Sequence, residues 1–150
     1  AQSCGASRWV QEMVAGRPYH DLVALQQAAQ RVWSTMDSAD ILEAFEHHPR
    51  IGADIEALRK KFAATASLSE SEQASVVHAS EQTLVALRDG NREYEQRYGH
   101  IFIVCATGKS AEEMLEFLHA RMDNEPENEL RIAAAEQAKI TQIRLEKIQL

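Results

Sequence analysis

The stretch His47-His48-Pro49-Arg50-Ile51-Gly52 ends an amphipathic run and brings two imidazoles, a guanidinium, a proline and a glycine together. Proline lacks a backbone N–H and pushes the preceding residue toward extended dihedrals, so the helix that carries Phe45 is predicted to end near His47. Imidazole has the side-chain pKa nearest neutrality, so His48, fixed at this corner, is suited to proton transfer. The His-Pro pair also fits a plain polar helix stop, because prolines commonly follow helix C-termini.

Three amphipathic helices are predicted before this corner. The first helix contains the apolar residues at positions 9–13 and closes at Gly16. The second starts at the N-cap Asp21, and the third starts at Asp37 and leads to His47. Each has one apolar face at helical spacing. These inward faces are Trp9, Val10 and Met13; Leu22, Leu25, Ala29, Val32, Trp33 and Met36; and Ile41, Leu42 and Phe45. The corner is therefore reached from a buried helix.

Five further helices are predicted after the corner. A short helix covers residues 57–62, and a capping box of Ser69 and Glu72 opens a helix that ends at residues 89–91. A separate helix covers residues 92–98, Ser110 with Glu113 opens another, and the last helix runs from 127 to about 149 after Pro126. The inward positions are Val76, Val77, Leu84 and Leu87; Ala111, Met114, Leu115, Leu118 and Met122; and Ala134, Ala138, Thr141, Leu145 and Ile148.

The run Ile101-Phe102-Ile103-Val104-Cys105 is rich in β-branched residues, too short for a helix, and has no second strand candidate to pair with. It is predicted to be a buried extended segment. Elsewhere amphipathic helices alternate with short loops, and there is no internal repeat or linker. The pattern predicts an all-α fold, with residues 1–150 as a single domain: a compact bundle of about eight helices with one short extended segment near Ile101 to Val104.

Composition excludes several classes of protein. With 150 residues, 45% of them hydrophobic, the chain suits one core. A net charge of −7 with dispersed basic residues argues against a nucleic-acid partner, whose phosphates require a basic face. Cys4 and Cys105 fit neither a zinc site nor a disulfide scaffold, which indicates a reducing compartment. No apolar run approaches the roughly 20 residues that span a bilayer, so a soluble, cytoplasmic protein without membrane contact is predicted.

Several kinds of active site are also excluded by spacing. The sequence at 106–110 ends in Gly108-Lys109-Ser110 like a phosphate loop, but Ile103 stands where that motif requires its first glycine. The histidines and cysteines lack metal-ligand spacing, so no metal site is predicted. There is no Gly-x-Ser-x-Gly elbow, and Cys105 lies in an apolar run where a thiol is usually inert.

Proton transfer and anion binding remain as possible chemistry. The candidates are His48 at the corner, Glu72 with Gln73 at a helix start, and the guanidinium groups of Arg50 and Arg97. Each has a structural alternative, because Glu72 also completes a helix cap and Arg97 also fits a helix end. The residues alone therefore indicate an acid/base site without naming a reaction.

Three motifs occur in a characteristic order: His48-Pro49-Arg50-Ile51-Gly52, then Ser69-x-x-Glu72-Gln73, then Arg97-Tyr98-Gly99 followed by residues 101–104. In order and spacing they resemble the decarboxylases of 2-oxo-4-hydroxy-4-carboxy-5-ureidoimidazoline (OHCU), the last enzymes of urate degradation. The likeness extends from Cys4-Gly5 to Arg144-Leu145. One departure is visible, since many members have Phe-Gly-Phe-Pro-Phe where this chain has Tyr98-Gly99-His100-Ile101-Phe102.

This resemblance implies a cofactor-free, all-helical enzyme, usually a homodimer, that converts OHCU to (S)-allantoin and carbon dioxide. The substrate is a small anionic ureidoimidazoline. By the resemblance His48 is the catalytic histidine and Glu72 its acidic partner. The implied substrate contacts are Pro49, Ser69, Gln73 and Arg97, together with backbone groups of Ile101, Phe102 and Ile103.

Two other functions remain open from the sequence. In the first, the chain is a non-catalytic helical interaction module, and the corner and caps are purely structural. In the second, it is a metal-assisted hydrolase that uses His47 and His48. The second is weaker, because adjacent side chains diverge and no third ligand is spaced near them.

Overall fold

A computed structural model describes residues 2–50, 55–63 and 70–148, with side chains throughout these ranges except at 57, 61–63 and 70–80. Within them the chain forms seven α-helices and no strand, which confirms the all-α class. The helices are α1 (Ser7–Ala15), α2 (Leu22–Ser34), α3 (Ser38–Glu46), α4 (Ile55–Ala63), α5 (Glu70–Tyr98), α6 (Ala111–Arg121) and α7 (Pro126–Glu146). None of the helices in these ranges is both long and apolar enough to cross a membrane.

The chain divides into two compact units, residues 1–49 with 130–150, and residues 50–129. The assignment of residues 1–150 to one domain stays a prediction. Each unit has its own core and one buried cysteine, Cys4 in the first and Cys105 in the second, neither in a disulfide.

The N-caps predicted in the first unit are confirmed. The Asp21 carboxylate accepts the Ala24 N–H at 2.8 Å, and the Asp37 carboxylate accepts the Asp40 N–H at 3.0 Å. The Asp40 carboxylate in turn accepts the Asp37 N–H at 3.2 Å, which completes a capping box. One inward residue of α3 was predicted wrongly, because Leu42 is 37% exposed. Ala44 is buried instead, since positions 41, 44 and 45 share the inward face.

The buried face of α7 in the first unit matches the predicted one only in part. Thr141 and Leu145 are buried as predicted, whereas Ala133 and Gln137 complete the stripe at four-residue spacing. Ile148 lies beyond the helix and is 44% exposed. Apolar periodicity alone favoured the neighbouring alanines at 134 and 138. The actual stripe contains two polar residues, whose burial is compensated by hydrogen bonds.

In the second unit, α5 continues through the predicted break at residues 89–91, so two expected helices are one. Gly90 does not end the helix. A Cβ added there would lie 2.5 Å from Leu118 Cδ2, so the missing side chain lets α6 approach α5 closely. Asn91 also stays helical, and its side-chain amide donates to the Leu87 carbonyl at 2.7 Å. Packing against α6 therefore overrides the weak helix propensity of glycine.

The effect of Gly90→Ala on stability is expected to change sign with residue 118. In the parent protein the new methyl meets fully buried Leu118, and overpacking should cost about 1–3 kcal/mol of unfolding free energy. In a Leu118→Ala background the clash is gone, and the better helix propensity of alanine should stabilise by up to about 1 kcal/mol. Urea denaturation of the four proteins measures both values; equal effects in the two backgrounds would exclude this contact.

The segment at 101–104 is non-helical and buried at Phe102, Ile103 and Val104, as predicted. The following turn does not offer a free lysine to phosphate. Lys109 Nζ donates to the Cys105 carbonyl at 2.6 Å, beside the positive-φ Gly108. The Ser110 hydroxyl accepts the Glu113 N–H at 3.1 Å and caps α6.

Candidate functional site

His48 is held at the end of α3, where the sequence placed it. The His47 N–H donates to the Ala44 carbonyl at 3.3 Å, and the His48 N–H donates to the Phe45 carbonyl at 3.1 Å. The helix ends at Glu46, because Pro49 cannot continue it. The His48 side chain is half-buried, so one edge of the imidazole meets protein groups.

The protein group at His48 is a buried amide on α7. His48 Nε2 is hydrogen-bonded to Gln137 Oε1, and Gln137 Nε2 donates to Thr141 Oγ1 at 3.0 Å. Gln137 is fully buried and Thr141 nearly so. Burial raises the pKa of the Cys4 thiol in the same unit. A polar chain thus runs from His48 into the core of the first unit.

Burial lowers the pKa of His48, because removal from water disfavours the imidazolium. The hydrogen bond with Gln137 opposes this shift, while the charges of Arg144 and His47 add to it. Among the described residues no carboxylate is hydrogen-bonded to His48. At neutral pH these surroundings therefore favour the neutral imidazole, which is the proton-accepting form.

His47 plays a different part from its neighbour. It is exposed, and a Cβ added to Gly5 would lie 2.4 Å from His47 Cδ2, so the His47 ring covers that glycine. The two adjacent imidazoles therefore have different surroundings, as expected for consecutive residues at a helix end. Among the described residues, no group of three or more histidine, cysteine or acidic side chains could hold a metal ion.

Arg97 and Arg50 lie in the second unit. Arg97, in the last turn of α5, is exposed; its Nη2 donates to the Asn124 carbonyl at 3.4 Å, and its Cζ lies 5.2 Å from the centroid of the Tyr98 ring. These contacts place the Arg97 guanidinium beside Tyr98 at the C-terminal end of α5. Arg50 instead pairs with Glu95, with 2.6 Å between Nη2 and Oε1.

A buried cation holds the segment at 101–103. Arg121 Nη1 donates to the Ile103 carbonyl at 2.6 Å, and the Arg121 Cζ lies 4.6 Å from the centroid of the Phe102 ring. The side chains of Arg121 and Glu129 are only 7% and 0% exposed, and they are 2.5 Å apart from Nη2 to Oε1. The backbone segment that is predicted to contact the substrate is therefore held in place by a buried ion pair.

The Glu129 carboxylate is saturated with donors. Its Oε1 also accepts from Arg121 Nε at 2.6 Å and from the Tyr94 hydroxyl at 2.5 Å, and its Oε2 accepts from Asn124 Nδ2 at 3.0 Å. Burial and the bond to Glu129 raise the pKa of Tyr94, so the phenol stays protonated as a donor. Sequence reasoning missed this network, because a charged residue such as Arg121 is normally assigned to a helix surface.

The remaining predicted site residues are only partly described. Ser69 and its capping box lie outside the described residues, and the side chains of Glu72 and Gln73 on α5 do too. His48 and Pro49 belong to the first unit, whereas Arg97 and Ile101 belong to the second. The gathering of these residues into one site stays a prediction.

A cavity of about 170 Å³ lies in the first unit, apart from His48. It is lined mainly by apolar side chains, among them Trp9, Met13 and Leu145, and none of the predicted site residues lines it. The cavity therefore adds no candidate to the proton-transfer site.

Comparisons with known proteins converge on one family. The model of the OHCU decarboxylase family matches residues 1–146. The chain is 36% identical over 145 residues to the uric acid degradation bifunctional protein TTL of Arabidopsis thaliana, covering 97% of this chain and 44% of that protein. It is 30% identical over 136 residues to the OHCU decarboxylase of Amia calva, covering 89% of this chain and 75% of that protein. The chain thus spans less than half of the bifunctional plant protein.

A solved structure extends the likeness to three dimensions. It is the crystal structure of an OHCU decarboxylase in the presence of (S)-allantoin, and its sequence is 33% identical to this chain. The TM-score is 0.77, with 97% of this chain and 93% of that chain covered. The similarity therefore includes almost the whole of both chains.

Proposed function

The chain belongs to the OHCU decarboxylase family, and we propose from this that it converts OHCU to (S)-allantoin and carbon dioxide without a cofactor. The observation that carries the proposal is the near-complete match to a decarboxylase crystallised in the presence of the product. A half-buried histidine whose described surroundings keep it neutral supports the same chemistry. The reaction is that of a carboxy-lyase in urate degradation.

The proposed mechanism needs only proton transfer and a site that stabilises charge. When the bond to the carboxylate breaks, carbon dioxide leaves, and the electron pair of that bond stays with the conjugated imidazoline ring. A proton must then reach one face of the ring to give a single enantiomer. We assign this exchange to His48, with Glu72 as the acidic partner that orients the imidazole and stabilises its charged form.

The proposed substrate contacts follow the family motifs. Arg97 is exposed and suited to hold anionic oxygens of the substrate. Backbone groups of Ile101, Phe102 and Ile103 would meet the ring, and the hydrogen bond from Arg121 to Ile103 keeps this segment in place. Pro49, Ser69 and Gln73 complete the proposed set.

The test of the reaction is stereochemical. OHCU is generated in situ from urate, and optical activity of the allantoin is followed with and without the protein. If the protein is a decarboxylase, optical activity should appear faster in its presence. If it is a non-catalytic interaction module, OHCU should decay to racemic allantoin at the slow spontaneous rate.

Glu72 is predicted both to cap a helix and to assist catalysis, and the variant Glu72→Gln separates these two roles. In a capping box Glu and Gln both reach the backbone N–H of the N-cap, so Glu72→Gln should keep stability within about 1 kcal/mol. The neutral amide cannot stabilise an imidazolium, so activity should fall at least about tenfold. Thermal melts and allantoin polarimetry measure the two effects. Full activity of the variant would reduce Glu72 to a cap.

The complementary variant is Ser69→Ala, which weakens the same cap. It should lower stability by about 1 kcal/mol and lower activity by less than Glu72→Gln does. The opposite order of activities would assign the catalytic contribution to the hydroxyl.

Activity is expected to be indifferent to chelators, because the substrate ring itself accepts the electron pair. Elemental analysis of active protein, followed by assay after dialysis against a chelator, checks this. One transition metal per chain, with activity lost on its removal and restored on its addition, would overturn the cofactor-free mechanism.

We also propose a cytoplasmic homodimer, the assembly usual in the resembled family. Large apolar side chains that are exposed, among them Val23 at 59%, offer surface for a second copy. The two buried cysteines are not in a disulfide, in agreement with a reducing compartment. Sedimentation equilibrium tests the assembly, and a monomer at micromolar concentration would contradict it.

A further inference from the structure

Gln137 is a polar side chain with no exposed surface, on the α7 face that packs in the first unit. A buried amide is costly unless its groups are satisfied, and here both are used: Oε1 at His48 and Nε2 at Thr141. Neither the family motifs nor apolar periodicity singled out this residue. It contacts the proposed catalytic imidazole directly.

The orientation of the amide follows from its partner on the other side. Gln137 Nε2 lies 3.0 Å from Thr141 Oγ1, one helical turn along α7. The Thr141 hydroxyl oxygen carries lone pairs that can accept this N–H. With Nε2 directed to Thr141, the amide must present its carbonyl oxygen to His48.

A carbonyl oxygen can only accept a hydrogen bond, so the hydrogen between Gln137 and His48 belongs to His48 Nε2. In the neutral ring the other nitrogen, Nδ1, then carries the lone pair. The charged and titratable groups around His48 in this unit are Arg144 on α7 and the neighbouring His47, and both disfavour the imidazolium. The neutral Nε2–H tautomer is therefore the form that these surroundings select.

We propose that Gln137 is a positioning residue that holds His48 as the Nε2–H tautomer, which makes Nδ1 the nitrogen that exchanges protons with the substrate. The proposal rests on the proposed decarboxylase function. In each turnover the bond to the carboxylate breaks, carbon dioxide leaves, and the ring gains one proton from solvent in net. His48 accepts one proton at Nδ1 and releases one from Nδ1, so the imidazole is regenerated.

The direct test is the tautomer of His48 in the parent protein. Long-range proton–nitrogen correlation spectra of protein labelled with ¹⁵N-histidine distinguish the two neutral tautomers, and the spectrum of His48→Asn identifies the signals of His48. The expected result is a protonated Nε2 and a lone pair on Nδ1 at neutral pH. The Nδ1–H tautomer would overturn the proposal. This measurement needs no activity, so it separates failure of the proposal from failure of the decarboxylase function.

Variants of Gln137 test the consequence for the reaction. Gln137→Leu removes the acceptor, so His48 should populate both tautomers, and kcat should fall at least about tenfold with KM within about twofold. Gln137→Glu keeps an acceptor oxygen but adds a negative charge, so the Nε2–H should remain while the pKa of His48 rises. The acid limb of the pH–rate profile should then move to higher pH. An acid limb at the same pH as in the parent protein would contradict a direct contact between residue 137 and His48.

Gln142 is a matched control on the same helix. Its Nε2 donates to the Gln26 carbonyl at 3.2 Å, so Gln142→Leu removes a glutamine hydrogen bond of the same unit without touching His48. The control should keep the parent tautomer, pH profile and kcat. Equal losses of kcat in Gln142→Leu and Gln137→Leu would reduce Gln137 to a structural residue. If Gln137→Leu fails to fold, the tautomer of the parent protein and the pH profile of Gln137→Glu still test whether Gln137 positions His48.

Discussion

Replacing His48 with Asn is expected to lower the rate of stereospecific decarboxylation by about 10²- to 10⁴-fold, the usual contribution of a general acid/base. Asparagine cannot titrate near neutral pH, so proton exchange with the substrate is lost. The amide nitrogen of asparagine takes the place of Nδ1 and not of Nε2, so the buried Gln137 carbonyl loses its donor; this should cost about 1–3 kcal/mol of unfolding free energy and leave the protein folded. Polarimetry of allantoin formed from OHCU measures the rate, and thermal denaturation measures the stability.

His47→Ala is the control for this prediction. The His47 ring covers Gly5 at the surface of the first unit, so its loss should cost no more than about 1 kcal/mol of stability. Activity should stay close to that of the parent. If His47→Ala were inactive and His48→Asn active, the catalytic histidine would be assigned wrongly.

The second large effect is expected in the stability of the second unit. Glu129→Gln preserves shape but removes the negative charge that neutralises buried Arg121, whose side chain is 7% exposed. An unpaired buried cation should cost about 3–5 kcal/mol of unfolding free energy. Guanidinium or urea denaturation measures this value. A loss below about 1 kcal/mol would mean that the pair is screened like a surface ion pair.

Two further variants separate charge from shape. Glu56→Gln breaks the ion pair between Glu56 and Arg59, whose side chains are 66% and 45% exposed. This change should cost less than about 1 kcal/mol of unfolding free energy. The double change Arg121→Met with Glu129→Leu removes both buried charges and should recover much of the loss caused by Glu129→Gln. It also removes the donor to Ile103, so its activity should remain low even where stability returns.

Local signals in the sequence were sufficient for much of the fold. Pro49 ended α3, and Asp21 and Asp37 capped α2 and α3, because each effect acts within one helical turn. Gly90 was misread for the opposite reason. Its effect depends on Leu118, which is distant in sequence and packs against the glycine only in the folded protein. A glycine in a helical pattern signals either a break or a close helix contact, and sequence periodicity does not separate the two.

The candidate site shows the same division. His48 could be selected because the proline beside it restricts its backbone. Its partner Gln137 lies 89 positions further along the chain, and a glutamine among alanines carries no signal of burial. Arg121 and Glu129 were hidden similarly, since their eight-residue spacing on different helices indicates no contact. Polar residues in a core are recognised by their partners, which only the folded chain brings together.

The placement of the two cysteines provides an intrinsic reporter of local opening. Cys4 is inaccessible in the first unit and Cys105 is 7% exposed in the second. A thiol reagent modifies a buried cysteine only when the surrounding structure opens, and the rate of modification follows the free energy of that opening. Each native cysteine thus measures the opening of its own unit, and no reporter residue has to be introduced. Variants at Glu129 should accelerate labelling of Cys105 more than of Cys4, and mass spectrometry of the two peptides resolves them.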